Sequence, residues 1–311
     1  MQVNASSERK GLDVTAIQRQ LKTRTFGIGD KLLYLPTVDS TNSLALKLAW
    51  EQPEEGVVVL TDSQTAGKGR LGRRWVDMYG CNVLSSTLLR PLFPPHFLVM
   101  IASLAIVDAI AETCGVSATI KWPNDVLVGK RKVAGILIET SHVLRGTVER
   151  GHSSQLVAIL GIGVNVNGNI QDIAVGSSPM ISHSLVRHSP DHQGSLSAVA
   201  TTLETECGRE VSRETFITHL LQHIEADYLT LQHEALEPFF TASGYGLASH
   251  AVWGRWRSQL STLGRAIQVN QGDTVLSGMA EEVNENGELL LRLHSGELVT
   301  ITWGDVGYPT G

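Results

Sequence analysis

The sequence is short of cysteine, of unbroken apolar stretches and of net positive charge, and each shortage removes a class of protein. Three cysteines, Cys81, Cys114 and Cys207, lie far apart, so there is no CxxC metal or redox pair, and an odd count makes no disulfide framework. That usage fits a reducing compartment, and the cytoplasm is the expected location. The longest uncharged run, residues 91–107, contains three prolines and a histidine. It falls short of the about 18 to 20 apolar residues that span a bilayer, so a buried helix is expected and no membrane partner. No apolar segment follows Met1 to Lys10, so no signal peptide is read. With 25 Lys and Arg against 31 Asp and Glu the net charge is −6, which leaves no global basic field for DNA or an anionic membrane.

Several catalytic signatures are missing too. Gly67-Lys68 is followed by Gly69, and Asp62 stands where a Walker A loop needs its first glycine, so a plain P-loop ATPase is disfavoured. There is no Gly-x-Ser-x-Gly elbow. Gly161-Ile-Gly-Val-Asn-Val166 fails the dinucleotide fingerprint at its sixth position. His219 and His223 are spaced i,i+4 but lack the glutamate of a zinc-peptidase motif; they and His183, His188 and His192 read as structural or solvated.

What is present fills 311 residues, room for about two domains. A short helix is expected over 12–23 and a strand over Leu32–Leu35. Asp39-Ser40-Thr41 are N-cap residues before an apolar helical stripe. A strand at Gly56–Leu60, a glycine-rich loop at Ser63–Gly80 and a strand at Val83–Leu89 follow. The apolar helix is placed at 97–113, then short strands at Thr119–Trp122, Asp125–Val128, Val133–Glu139 and Leu156–Val166. Residues 141–155 and 168–195 read as loops, 196–207 and 213–234 as helices. From about 250 a small all-β unit is expected, with turns at Asn286-Gly287 and Ser295-Gly296.

Two segments gather positive charge in this acidic chain. Residues 61–75 hold Lys68, Arg70, Arg73 and Arg74 against Asp62; residues 121–135 hold Lys121, Lys130, Arg131 and Lys132 against Asp125. Glycines 67, 69 and 72 let backbone N–H groups approach an anion, and arginines grip carboxylate or phosphate oxygens in pairs. Taken alone, the first reads equally well as a solvated loop and the second as a basic hairpin tip.

Taken in order, four stretches resemble the biotin protein ligases, also called biotin acetyl-CoA-carboxylase ligases, over about residues 30 to 305. They are Gly67-Lys-Gly-Arg-Leu-Gly72, Lys121-Trp-Pro-Asn-Asp125, Lys132-Val-Ala-Gly-Ile-Leu-Ile-Glu139 and Gly161-Ile-Gly-Val-Asn165, preceded by Val38-Asp-Ser-Thr-Asn42. The resemblance implies an ATP-dependent, two-step reaction. The biotin carboxylate attacks the α-phosphate of ATP, pyrophosphate leaves, and a lysine of the biotin carboxyl carrier protein takes biotin from biotinyl-5′-AMP. It assigns Lys132 and Arg70 as catalytic. Ser40, Thr41, Asn42, Gln64, Lys68, Gly69, Arg70, Lys132, Gly161 and Gly163 would bind biotin. Arg70, Arg73, Arg74, Trp75, Lys121, Asn124 and Asn165 would bind ATP and the adenylate, and Asp125 is a candidate Mg²⁺ ligand. Lys68 departs from the family's usual arginine; it keeps the charge and loses the planar fork, which would let the intermediate leak.

The implied fold is α/β (α+β). A mixed sheet with helices on one side, similar to class II aminoacyl-tRNA synthetase cores, would span 30–247 as the catalytic domain. An SH3-like β-barrel would span 248–311 and an extension with one short helix 1–29. Some family members carry an N-terminal winged helix that represses biotin synthesis genes; residues 1–29 are too few for one, so operator binding is not expected. Sheet edges are candidate dimer interfaces, and a monomer fits equally. Rivals are a lipoate or octanoate-type ligase or acyltransferase of the same superfamily, and a non-catalytic biotin-sensing module.

Overall fold

A computed structural model describes residues 10–51, 54–145, 153–171, 199–237 and 246–309. His183, His188 and His192, and most of the 168–195 stretch, lie outside the described residues. Seven strands form one sheet: β1 (Leu32–Val38), β2 (Val58–Gln64), β3 (Asn82–Leu89), β4 (Ala118–Lys121), β5 (Asp125–Val128), β6 (Arg131–Arg145) and β7 (Ser153–Asn165). Their order is β1-β2-β3-β7-β6-β5-β4, with β1 and β2 parallel and the other neighbours antiparallel.

Helix α1 (Val14–Gln20) leads in. Helix α2 (Thr41–Trp50) starts at Ser40, whose side chain accepts from the Ser43 N–H, the N-cap expected from sequence. Helix α3 (Phe97–Cys114) is long and apolar enough to cross a membrane, yet 67% of it is buried. It packs against α5 (Arg213–Leu236), α6 (Leu247–Ser258) and strands β4 to β6, and is a core helix. Gly115, in the left-handed region at φ 67°, ends it with its N–H on the Ala111 carbonyl. A short helix, α4 (Leu203–Cys207), precedes α5.

Alternate residues of the strands face opposite ways. On β7, Ala158, Leu160, Ile162 and Val164 join the large core under α3, α5 and α6. Val157 and Ile159 instead pack with Ala45 and Ala49 of α2 and with Val59 and Leu88. The expectation of helices on one side is therefore corrected: α2 caps part of the second face, because its small alanines sit flush on the strands there.

The C-terminal unit is an antiparallel sheet ordered β11-β10-β9-β8-β12, from β8 (Ala266–Gln271), β9 (Thr274–Val283), β10 (Leu289–Leu293), β11 (Leu298–Ile301) and β12 (Asp305–Gly307). Its buried residues Ile267, Val269, Ala280, Leu289 and Leu291 are continuous with the main core. The Asn286-Gly287 turn docks on the rest of the chain, with Trp122 Nε1 donating to the Gly287 carbonyl at 2.9 Å.

Two expectations from pattern fail locally. Residues 250–258 are helical, because Ser249, Val252 and Trp256 are buried at a spacing of three and four. The 141–155 loop is narrower than expected: β6 and β7 pair out to Arg145 and Ser153, with Val143 buried. Long-range charges tie the frame together. Arg213 and Asp62, both buried, pair at 2.6 Å. The Glu225 carboxylate accepts the backbone N–H groups of Arg24, Thr25 and Phe26.

Candidate active site

Beyond the edge of α2, the second sheet face lies open among the described residues, and Gly135, Gly161 and Gly163 clear its floor. Gly135 of β6 pairs with Gly163 of β7, and Leu137 with Gly161. A Cβ on Gly161 would collide with Asn42, and one on Gly163 would lie 2.6 Å from the Trp75 ring. Trp75 thus lies directly on bare backbone. A cleft enclosing about 470 Å³, part of it open to solvent, runs along this face.

One end of the cleft is a polar network. Thr41 and Asn42 are both buried at the start of α2; the Ser86 hydroxyl donates to Asn42 Oδ1 at 2.6 Å and lies 2.7 Å from the Thr41 hydroxyl. The Gln64 side-chain oxygen accepts from the Thr41 N–H at 2.8 Å, and the Gln64 N–H donates to Asp77. Asn42 donates to Glu139 at 2.8 Å, and Glu139 in turn pairs with Lys68 at 3.3 Å. The glycine-rich loop therefore reaches across the cleft to β6. That loop closes on itself through Gly69 N–H to Arg73 carbonyl and Trp75 N–H to Gly67 carbonyl bonds.

The other end is cationic. Arg70 donates to Asn124 at 2.7 Å, and Lys132 sits 2.6 Å from Asp125 and 5.7 Å from the Trp75 ring centre. These contacts join the two basic segments. Burial lowers the Arg70 guanidinium from its usual pKa against the opposite pull of Asp305 and Asp125. Lys121 is likewise lowered by burial, with Asp125 and Asp305 opposing and Lys132 and Arg73 adding to the fall. Cations held out of water with incomplete compensation gain from an incoming anion. Asp62, which the sequence counted against the loop's charge, is occupied in the core by Arg213 and Tyr34. The Trp75 indole N–H is buried with no acceptor among the described residues, a cost of about 1 to 3 kcal/mol that a ligand oxygen would remove.

Ser40, Thr41, Asn42, Gln64, Lys68, Gly69, Arg70, Trp75, Asn124, Lys132, Gly161 and Gly163 all line this cleft. Five other candidates do not. Arg73 pairs with Asp305 of β12 and Arg74 donates to the Thr65 carbonyl. Asn165 is buried between Asn82 and the Thr201 carbonyl. Lys121 lies behind the rim over the Tyr308 ring, and Asp125 is the partner of Lys132. Sequence reasoning passed over Ser86, Gly135 and Glu139. The last two sit inside the Lys132–Glu139 stretch, where the motif itself was the signal; Ser86, in the run Leu-Ser-Ser-Thr, has no local mark.

Residues 34–154 match the model of the Biotin/lipoate A/B protein ligase family, and residues 262–306 that of the Biotin protein ligase C terminal domain. The chain is 32% identical over 277 residues to the Biotin--[acetyl-CoA-carboxylase] ligase of Paracoccus denitrificans, covering 85% of this chain and 95% of that protein. It is 30% identical over 289 residues to the Bifunctional ligase/repressor BirA of Bacillus subtilis (strain 168), covering 92% and 76%. Among solved structures, the biotin protein ligase from Aquifex aeolicus in complex with biotin and ATP superimposes with a TM-score of 0.62 at 25% identity, over 89% of this chain and 97% of that one.

Proposed function

The chain belongs to the biotin protein ligase family and is a biotin ligase enzyme, and from that premise we propose that its cleft makes biotinyl-5′-AMP and passes biotin to a lysine of the biotin carboxyl carrier protein of acetyl-CoA carboxylase. One observation carries the reading: Arg70 and Lys132 share a single cleft with a polar end and a glycine-cleared floor. Biotin has an edge of amide-like donors and acceptors at one end and a carboxylate at the other. The Thr41, Asn42, Ser86 and Gln64 network suits the ureido ring, the bare backbone at Gly161 and Gly163 admits the fused rings and chain, and Lys132 receives the carboxylate. A lipoyl dithiolane offers that polar end nothing to bond, so biotin is favoured over lipoate.

Activation brings a carboxylate against a triphosphate, so repulsion dominates the barrier. Lys132 would neutralise and orient the carboxylate, itself held in line by Asp125. Arg70 would bridge carboxylate and α-phosphate oxygens, its position set by Asn124. A carboxylate oxygen attacks the α-phosphorus, the bond to the β-bridging oxygen breaks, and pyrophosphate leaves. Fixed cations in a water-poor cleft stabilise the charge that gathers on the α-phosphate. The carrier lysine amine then attacks the biotinyl carbonyl and AMP leaves. Arg73, Arg74 and Lys121 would act on the nucleotide side through the rim rather than the floor, whereas Asn165, spent on Asn82 and Thr201, would only hold β7 against β3. Asp125 does not fit a Mg²⁺ site, because its carboxylate is paired with Lys132 at 2.6 Å and stands off the cleft lining; a Mg²⁺ ion would be carried by the triphosphate oxygens, whose charge it would offset. The three scattered cysteines support the cytoplasm as the compartment of this work.

Incubation with biotin, Mg-ATP and a carrier domain, followed by mass spectrometry, tests this reading. Mass gain on a single carrier lysine is expected, with none when lipoate replaces biotin. Labelling by the lipoate arm alone would turn the assignment to the lipoate branch, and unchanged labelling by Lys132→Ala would remove Lys132 from its role.

A further inference from the structure

Away from the cleft, three side chains meet that the ligase reaction does not use. Glu112 stands near the C-terminal end of α3, about 22 Å along the helix axis from Phe97. His219 and His223 are one turn apart on α5, which packs along α3. One Glu112 oxygen is 3.0 Å from His223 Nε2 and the other contacts His219 Nδ1. One ligand atom from each of the three residues lies within 4.8 Å of the others. The histidines alone lacked a third donor in sequence; packing supplies it from more than a hundred residues away.

We propose that Glu112, His219 and His223 form a binding site for a divalent transition metal of the zinc class, separate from the biotin and ATP cleft. Two imidazole nitrogens and one carboxylate oxygen are a borderline-soft donor set suited to zinc, and water would complete a tetrahedron on the solvent side. The side chains are about a third exposed, so an ion can reach them and the carboxylate has room to turn from bridging two imidazoles to ligating.

The backbones that carry the donors are fixed. Ala109 and Ile110 of α3 and Phe216, Leu220 and Ile224 of α5 are fully buried on the inner sides of the same helix turns. One turn along the seam, Asp108 and Asp227 flank Arg255 of α6 at 2.9 and 3.3 Å. That carboxylate pair already has its cation, leaving Glu112 as the acid available to an ion. A bound ion would bridge α3 to α5 and stabilise the fold by an amount that grows with the logarithm of free ion over Kd, without touching the chemistry in the cleft.

The test uses the full chain without a histidine tag, stripped with EDTA and titrated with Zn²⁺ by calorimetry, with thermal unfolding followed in parallel. Wild type is expected to bind one equivalent more than the His219→Gln/His223→Gln double variant, and to gain a zinc-dependent rise in Tm that this variant lacks. Glu112→Gln should weaken binding by about tenfold or more. Equal zinc binding and equal Tm shifts in wild type and double variant would overturn the site. A second reading needs no variant: Co²⁺ in wild type should give a four-coordinate spectrum without a thiolate charge-transfer band, and a thiolate band would contradict the proposed donors. Biotinylation by the double variant should match wild type, so that failure of this site and failure of the ligase reading are separately visible.

Discussion

The two faces of the seven-stranded sheet are built from neighbouring residues of the same strands and do opposite things. On one face Leu160, Ile162 and Val164 of β7 fill the core beneath α3. On the other, Gly161 and Gly163 leave the backbone bare, and the space goes to Trp75, Asn42 and a cleft. The first face is packed for stability; the second gives up packing to hold room and charge. A change of one residue along β7 should therefore switch the phenotype from folding to catalysis.

The largest expected effect is on the packed face. Leu160→Ala should lower unfolding free energy by about 2 to 5 kcal/mol, measured by urea denaturation, while folded enzyme keeps its kcat. Next is the cationic end of the open face, where Lys132→Ala should reduce kcat for adenylate formation by about 10² to 10³ with an unchanged denaturation midpoint. One residue away from the packed positions, Gly163→Ala would push Trp75 off the sheet and should lower kcat/KM for biotin by about 10²-fold, since a misplacement of about 1 Å costs that much in rate. Its stability should fall far less than that of Leu160→Ala; an equal loss would mean that the glycine serves packing instead. The smallest effect is Lys68→Arg, which should slow release of free biotinyl-AMP by a few-fold through paired contacts. Trapping the intermediate during turnover measures this, and unchanged leakage would show that the lysine costs nothing there.

The same contrast explains what could be read in advance. Residues that act through their own backbone or type are legible: the Ser40 cap and the apolar helix expected at 97–113 carry their reasons locally, whereas Gly161 and Gly163 read alone as a bulge or close packing and gain a role as floor only from the resemblance. Residues defined by partners are not. Asn165 belongs to a motif, yet its side chain is taken up by Asn82 and Thr201. Asp62 appeared as a charge on the glycine-rich loop, whereas Arg213, some 150 positions on, draws it into the core. Ser86 matters because β3 brings it under α2, which no short window contains. Residues 250–258 read as strand from sequence, and the helical spacing of Ser249, Val252 and Trp256 is decided by their packing toward α3 and α5.

The central claim is that the cations of two separate segments meet over a bare sheet face to join biotin to AMP. Biotin-dependent exchange of labelled pyrophosphate into ATP tests it most directly, because exchange requires the reversible first step and no carrier. Wild type should exchange only when biotin is present, and both Arg70→Ala and Lys132→Ala should lose exchange while remaining folded. Exchange that is independent of biotin, or that survives intact in both variants, would contradict the account.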